Sequence, residues 1–309
     1  MRNGVTIHVA SLNTRAATEL CIRTMCQYAG CPFELIVGDG GSVDGSVEML
    51  VGFECRGWLT LERHPNRTHA DWLDDWCSRP ASRYLGFVDS DMEFRKSGWL
   101  RGMLDRAQAT RAAIVALDIK PTARNMREPV SGRLVRGMPA PTTWLLLLDL
   151  PQVADLRESF AFRSIETDAV PEGCIVYDTG ATLLERIQKS GRTAVAMPRG
   201  YGAGVKHYGS MTWMPLAGEA GRRKRRNLAV IDRRLRAVRA VDNSRQPVRQ
   251  AIARASLNPV LEDGFELAAR ARWKAAASLR RHRDQQVFVQ DFNFQAANAL
   301  DGEGAIPSR

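Results

Sequence analysis

Four short, largely apolar runs, at residues 5–10, 33–37, 58–62 and 84–88, alternate with segments whose apolar side chains recur every three or four positions. Runs of that length suit buried strands, and the wider spacing gives a helix one apolar face. In the first such segment Ala17, Leu20, Cys21, Thr24, Met25 and Tyr28 share a face, and Gly30 and Pro32 end it. Helices are expected again from Ser46 and over 68–77. Strand and helix in this rhythm predict a parallel sheet with helices on its faces. Ligands bind such sheets where the C-terminal ends of strands run into loops. Residues 13–15, 39–44 and 89–91 therefore share one rim.

The second half is less regular. Residues 112–118, 143–149 and 192–197 read as strands, 180–190 as a helix and 120–138 as an irregular loop rich in Arg, Pro and Gly. A loop at 198–213 follows, and past Gly221 the residues Leu228, Ile231, Leu235 and Val238 mark an amphipathic helix with an arginine-rich opposite face. The last dozen or so residues, with Gly302 and Gly304, read as frayed.

The net charge of +10 belongs to the end of the chain. From Arg222 onward lie 19 of the 44 lysines and arginines but 9 of the 34 acidic residues, which leaves 25 of each before it. Two regions are expected: a domain over 1–215 and a basic, mainly helical extension over 216–309. The basic run 222–226 serves as a solvated helix end, as a contact to an anionic membrane surface, or as a contact to nucleic-acid phosphates. No stretch approaches the roughly 18 apolar residues of a membrane span, and no apolar signal-peptide core opens the chain. A cytoplasmic protein, at most peripheral at a membrane, is the expectation. The six cysteines contain no Cys-x-x-Cys pair, which favours reduced thiols over a disulfide or zinc framework.

Asp89-Ser90-Asp91 closes the run at 84–88. Residues i and i+2 of an extended chain face the same way, so both carboxylates can aim at one ion. Two hard oxygen ligands suit Mg²⁺ or Mn²⁺, and buried carboxylates are costly without a compensating cation. The segment from Glu34 to Ser46 delivers Asp39 to the rim, followed by glycines that let the backbone approach a ligand. Asp39 can accept hydrogen bonds from a base or ribose, and Asp44 and Ser46 can cap the next helix.

Asn13-Thr14-Arg15, the loop from Asp39 to Ser46, and Asp89-Ser90-Asp91 resemble, in order and spacing, family 2 of the inverting glycosyltransferases. That family's fold is GT-A, a Rossmann-like, mostly parallel sheet flanked by helices. His64-Pro65-Asn66-Arg67-Thr68-His69-Ala70 sits where the family carries a ligand-facing loop and helix. The resemblance is good over 5–105, looser to about 213, and absent beyond.

The resemblance implies transfer of a sugar from a nucleotide-diphosphate sugar to an acceptor hydroxyl, with inversion and with Mn²⁺ or Mg²⁺ as cofactor. UDP-sugars are the usual donors. It assigns Asp39 to the base, and Ser11, Asn13 and Arg15 to the nucleotide pocket. Asp89, with Ser90 beside it, falls to the ribose or the metal, Asp91 to the metal, and Arg67 to the diphosphate. His207, in a glycine-rich stretch, matches a late-loop histidine that serves as a further metal ligand, with Lys206 and Tyr208 near the diphosphate. Asp178 is the first choice for the base, with Glu172, Asp168 and Glu166 as rivals, because the family's usual acidic pair aligns here with Thr179 and Gly180. The acceptor is a glycan, lipid-linked or nucleic-acid hydroxyl. No Gln-x-x-Arg-Trp of processive synthases occurs. A nucleotidyltransferase is the rival enzyme, but its first loop is glycine-rich and residues 11–15 hold no glycine. A nucleic-acid-binding protein on the same scaffold, or an enzyme glycosylating a nucleic-acid base, is the rival that uses the basic region.

Overall fold

The computed structural model describes residues 2–79, 82–120, 122–127, 133–156, 159–209, 211 and 218–256. The frayed C-terminus, most of the extension and the end of the 198–213 loop lie outside the described residues. The chain opens β1 (Arg2–Ser11), α1 (Arg15–Tyr28), β2 (Glu34–Asp39), α2 (Ser46–Cys55) and β3 (Thr60–Arg63). Then come α3 (His69–Ser78), β4 (Ser82–Val88), β5 (Met92–Phe94), α4 (Trp99–Thr110) and β6 (Ile114–Ala116). Five strands follow: β7 (Ile119–Lys120), β8 (Arg124–Arg127), β9 (Leu134–Gly137), β10 (Ala140–Pro141) and β11 (Leu145–Asp149). The described chain ends with β12 (Arg163–Glu166), β13 (Cys174–Tyr177), α5 (Ala181–Lys189), β14 (Ala194–Ala196), β15 (Val205–His207) and α6 (Gly218–Ser256).

Seven strands form the central sheet in the order β14-β6-β11-β4-β1-β2-β3. Within it β1 runs parallel to β2 and β4, β2 to β3, and β14 to β6, while β11 runs antiparallel to both neighbours. The period-two alternation of β11 shows why both faces need helices. Leu145 and Leu147 pack with Met25, Phe53 and Met103 on the α1, α2 and α4 side. Leu146 and Leu148 pack with Trp72, Trp76 and Ile187 on the α3 and α5 side. Gly38 of β2 makes room for that second layer, since a Cβ there would stand 2.8 Å from ring carbons of both Trp72 and Trp76. The mostly parallel, helix-flanked sheet is the architecture expected from the alternating runs.

Several stretches depart from expectation, among them the 198–213 loop, in which residues 205–207 form β15. Residues 120–138 are not an irregular loop: β8 and β9 pair within a second sheet of order β12-β13-β9-β8. These strands are four residues long and β8 has Arg at both ends, so no apolar run announces them. Val135, Cys174 and Val176 give this small sheet its own core. A further departure is α4, which no expected element covers although Trp99, Leu100, Met103, Leu104 and Ala107 give it a buried face.

The start of α6 lies on the domain. Ile231, Leu235 and Val238 pack against Ala17 and Leu20 of α1, together with Tyr208 and Met211. Arg239 donates to Glu19 through Nε at 2.8 Å. Among the described residues no helix is long and apolar enough to cross a membrane.

Candidate metal and nucleotide site

The C-terminal ends of β1, β2 and β4 meet on one rim, as the parallel order requires. Past β4 the chain turns at once: Asp89 N–H donates to the Trp144 carbonyl at 3.1 Å, and Met92 N–H donates back to the Asp89 carbonyl at 3.2 Å. β5 then pairs antiparallel with β15, with His207 opposite Met92. Tyr208 N–H adds a bond of 3.1 Å to the Asp91 carbonyl. This ladder brings a histidine from 116 residues along the chain beside Asp91. His207 Nε2 stands 3.0 Å from Asp91 Oδ1 and 3.5 Å from Asp89 Oδ2. Its ring stacks on Trp144 with 4.7 Å between centroids and 18° between planes. His69, the first residue of α3, reaches within 3.9 Å of Asp89 Oδ1. A capping box between Thr68 and Asp71 fixes that helix start.

Burial opposes a charge on His207, but hydrogen bonds and charge from Asp89 and Asp91 overcome it and raise the imidazole to about 9. For Asp89 burial favours the neutral acid, yet the His207 hydrogen bond and the nearby His69 and His207 hold the carboxyl below its ordinary value. Asp89 Oδ1 is buried without a hydrogen-bond partner among the described residues. Two carboxylates and an imidazole, with ligand atoms all within 4.8 Å of one another, form an electron-rich cluster whose demand for positive charge is what raises the imidazole. The donor set fits a divalent cation of the Mn²⁺ or Mg²⁺ kind.

The cluster borders a cleft of about 360 Å³ lined by Ser11, Gly40, Arg67, His69, Asp89, Asp91 and Met211 among others. Arg67 lies over the Trp72 ring at 4.8 Å and donates to Asp75 at 2.8 Å, so its guanidinium is held in place at the cleft wall. Ser11 and Ser90 turn their hydroxyls into a buried cluster: Ser11 reaches Thr18 at 3.0 Å, Thr18 reaches Thr14 at 2.9 Å, and Thr14 reaches Ser90 at 3.1 Å. The cluster pins the first loop to the Asp-x-Asp turn.

Asn13 and Arg15 work on the loop beside the cleft. Asn13, at a left-handed φ of 52°, accepts from Val43 N–H at 2.8 Å, and Arg15 N–H donates to Asp44 at 2.9 Å. The Arg15 guanidinium lies against Gly45, away from the cleft lining. Asp44 accepts from Ser46 N–H at 3.1 Å and so serves the start of α2, although Gly45, with φ 82°, is the capping residue. Asp39 is fully buried. Its Oδ1 accepts from Gly41 and Ser42 N–H at 3.0 and 2.9 Å, while Oδ2 has no partner among the described residues.

Asp178 stands at the start of α5, half-buried, with Oδ1 accepting from Thr179 N–H at 2.8 Å. It lies outside the cleft lining. The link runs through Gly180, whose missing Cβ leaves room for the Thr143 methyl at 3.2 Å, and Thr143 does line the cleft. Glu166 is exposed and paired with Arg133 at 2.8 Å, and Asp168 is exposed. Glu172 lies 3.9 Å from Arg136 with Oε2 buried and unpartnered. Tyr208, expected at the diphosphate, is instead buried, with its hydroxyl donating to Glu93 at 2.9 Å. Residues the sequence did not suggest are Trp144, which carries the His207 ring, and Glu93, a buried carboxylate behind the cluster. Trp144 had no readable signal, since it begins what looked like an ordinary buried strand.

A Rossmann-like sheet with a carboxylate–histidine cluster at its C-terminal rim is a GT-A glycosyltransferase fold. Residues 6–160 match the model of Glycosyl transferase family 2. The chain belongs to that family, and it is a glycosyltransferase. Among solved structures it is similar to the mannosyltransferase PcManGT from Pyrobaculum calidifontis in complex with GDP-Man and Mn²⁺. That pair is 14% identical, with 90% of this chain and 87% of that chain covered and a TM-score of 0.45. It is also similar to S. aureus TarS 1–349, at 15% identity, 57% of this chain, 60% of that chain and a TM-score of 0.38. No curated protein matches.

Proposed function

We propose that this glycosyltransferase moves a sugar from a nucleotide-diphosphate sugar, UDP-linked in the first instance, to an acceptor hydroxyl with inversion, in a metal-dependent reaction. One observation supports this reading above the rest: Asp89 and Asp91 line the same cleft as Ser11 and Gly40, and His207 joins the two carboxylates in one cluster. These three residues hold a divalent cation. When bound, that cation offsets the charge that builds on the departing diphosphate.

The remaining steps belong to the chain. Asp39 Oδ2 accepts from a base N–H brought against the glycine loop, and its Oδ1 keeps that loop folded. Arg67 faces the diphosphate oxygens with a guanidinium already oriented by Trp72 and Asp75. Asp178 takes the proton of the acceptor hydroxyl as its oxygen bonds to the anomeric carbon. The bond from that carbon to the diphosphate oxygen breaks on the opposite side, which inverts the centre and releases the nucleotide diphosphate. The basic region brings the domain to an anionic acceptor surface, membrane or nucleic acid.

The direct test offers UDP-, GDP- and dTDP-sugars in turn and measures nucleotide diphosphate released with Mn²⁺, with Mg²⁺ and with EDTA. Metal-dependent release from one nucleotide class is expected. Release that ignores EDTA, or none from any donor, contradicts the reading.

A further inference from the structure

Behind the Asp89–Asp91–His207 cluster lies a second polar device that no step above uses. Glu93, on β5 and two residues past Asp91, has a fully buried side chain. Its Oε2 accepts from Arg95 at 2.7 Å and from the Tyr208 hydroxyl at 2.9 Å. Its Oε1 accepts from Arg234 Nε at 2.6 Å. Arg234 comes from α6, and so does Asn227, whose side-chain amide donates to the Tyr208 carbonyl at 2.9 Å. Tyr208 is the residue after His207.

We infer that α6 is a working part of the metal centre, and that Arg234, Glu93, Tyr208 and Asn227 form a clamp that fixes the position of His207. The inference rests on the metal reading above. It goes further, because it places positioning residues in a region whose charge alone suggests a surface tether.

The physical grounds are these. β15 is only three residues long and, among the described strands, pairs with β5 alone, and the chain around it carries Gly200, Gly202, Gly204 and Gly209. Such a segment has little stiffness of its own. Its fixed point is Tyr208, with the ring buried among Ile231 and Leu235, the hydroxyl on Glu93, and the carbonyl on Asn227. Without Arg234 the Glu93 carboxylate keeps Arg95 and Tyr208 on Oε2, but its Oε1 is left buried without a donor, which is costly. The order built into α6 thus passes through Glu93 and Tyr208 to the imidazole one residue away. Outer partners of metal ligands act this way in general, and their loss typically costs about ten- to a hundredfold in metal affinity.

The experiment measures Mn²⁺ affinity in the presence of UDP, by the electron spin resonance signal of free Mn²⁺, on the full chain. Variants are Arg234→Gln, Tyr208→Phe and Asn227→Ala, with Arg239→Gln as a control that removes an α6 contact to Glu19 instead. The first three are expected to bind Mn²⁺ about ten- to a hundredfold more weakly, with UDP affinity in EDTA unchanged. The control should match the parent. Asn227→Ala disturbs no buried charge, so it keeps the test decisive if Arg234→Gln folds poorly. Parent-like Mn²⁺ affinity in Tyr208→Phe and Asn227→Ala overturns the clamp, and so does an equal loss in Arg239→Gln. A parent that binds no Mn²⁺ overturns the metal reading itself, and the clamp with it.

Discussion

Asp39 has two carboxylate oxygens in two different situations. One is spent on the backbone of Gly41 and Ser42, and the other is buried with no partner among the described residues. Arg63 lies close enough for its charge to act on Asp39, but a buried oxygen without a hydrogen bond is still expensive, so a ligand donor is the expected complement. Asp39→Asn keeps the loop-holding oxygen and puts an NH₂ in place of the orphaned one. It should weaken UDP by about 1.5–3 kcal/mol, or roughly ten- to a hundredfold, with unfolding unchanged. An unaltered Kd assigns Asp39 to the loop alone. Asp178→Asn tests the base by a different readout. It should cut transfer by about 10²–10⁴ while donor affinity holds; a larger loss in Glu172→Gln gives the role to Glu172.

At this scale the sequence was legible in which residues meet more than in how they meet. Asp89 and Asp91 were paired as alternate residues of an extended chain, but they converge through the turn past β4, in which Met92 N–H bonds the Asp89 carbonyl. His207 could be named only through a family resemblance, since its approach depends on the β5–β15 register, which no local pattern encodes. Glu93 and Trp144 were not legible at all. One looks like an ordinary charge after a strand, the other like the start of a buried strand.

Among the elements, the parallel strands were readable as short apolar runs because the sheet is covered on both faces, and the first helices because each buries one regular face. The four-residue strands β8 and β9 were not, since arginine-bearing strands of that length carry no run for periodicity to detect. For α6 the apolar spacing of Leu228, Ile231, Leu235 and Val238 was visible, and its partner, the Ala17 and Leu20 side of α1, was not. The docked face leaves Arg222, Arg223 and Arg226 exposed on the rest of the helix. Replacing these three with Gln removes charge and keeps helix propensity. Binding to anionic vesicles or to DNA should fall and lose its salt dependence, while metal-dependent donor hydrolysis persists. Whichever surface shows the loss identifies the partner, and parent-like binding to both marks the run as a solvated helix end.

The whole molecule joins a sheet rim bordering a cleft, a carboxylate–histidine cluster and a basic helix packed on the same domain. We propose that nucleotide binding requires the cation held by Asp89, Asp91 and His207. Calorimetric titration of UDP into the full chain, with Mn²⁺ and then with EDTA, tests this most directly when repeated with Asp91→Asn, which keeps the ligand's shape and removes its charge. The parent should bind UDP far more tightly with Mn²⁺ than with EDTA, and Asp91→Asn should erase the difference. Equal affinities with and without metal in the parent, or a metal effect that survives Asp91→Asn, would contradict it.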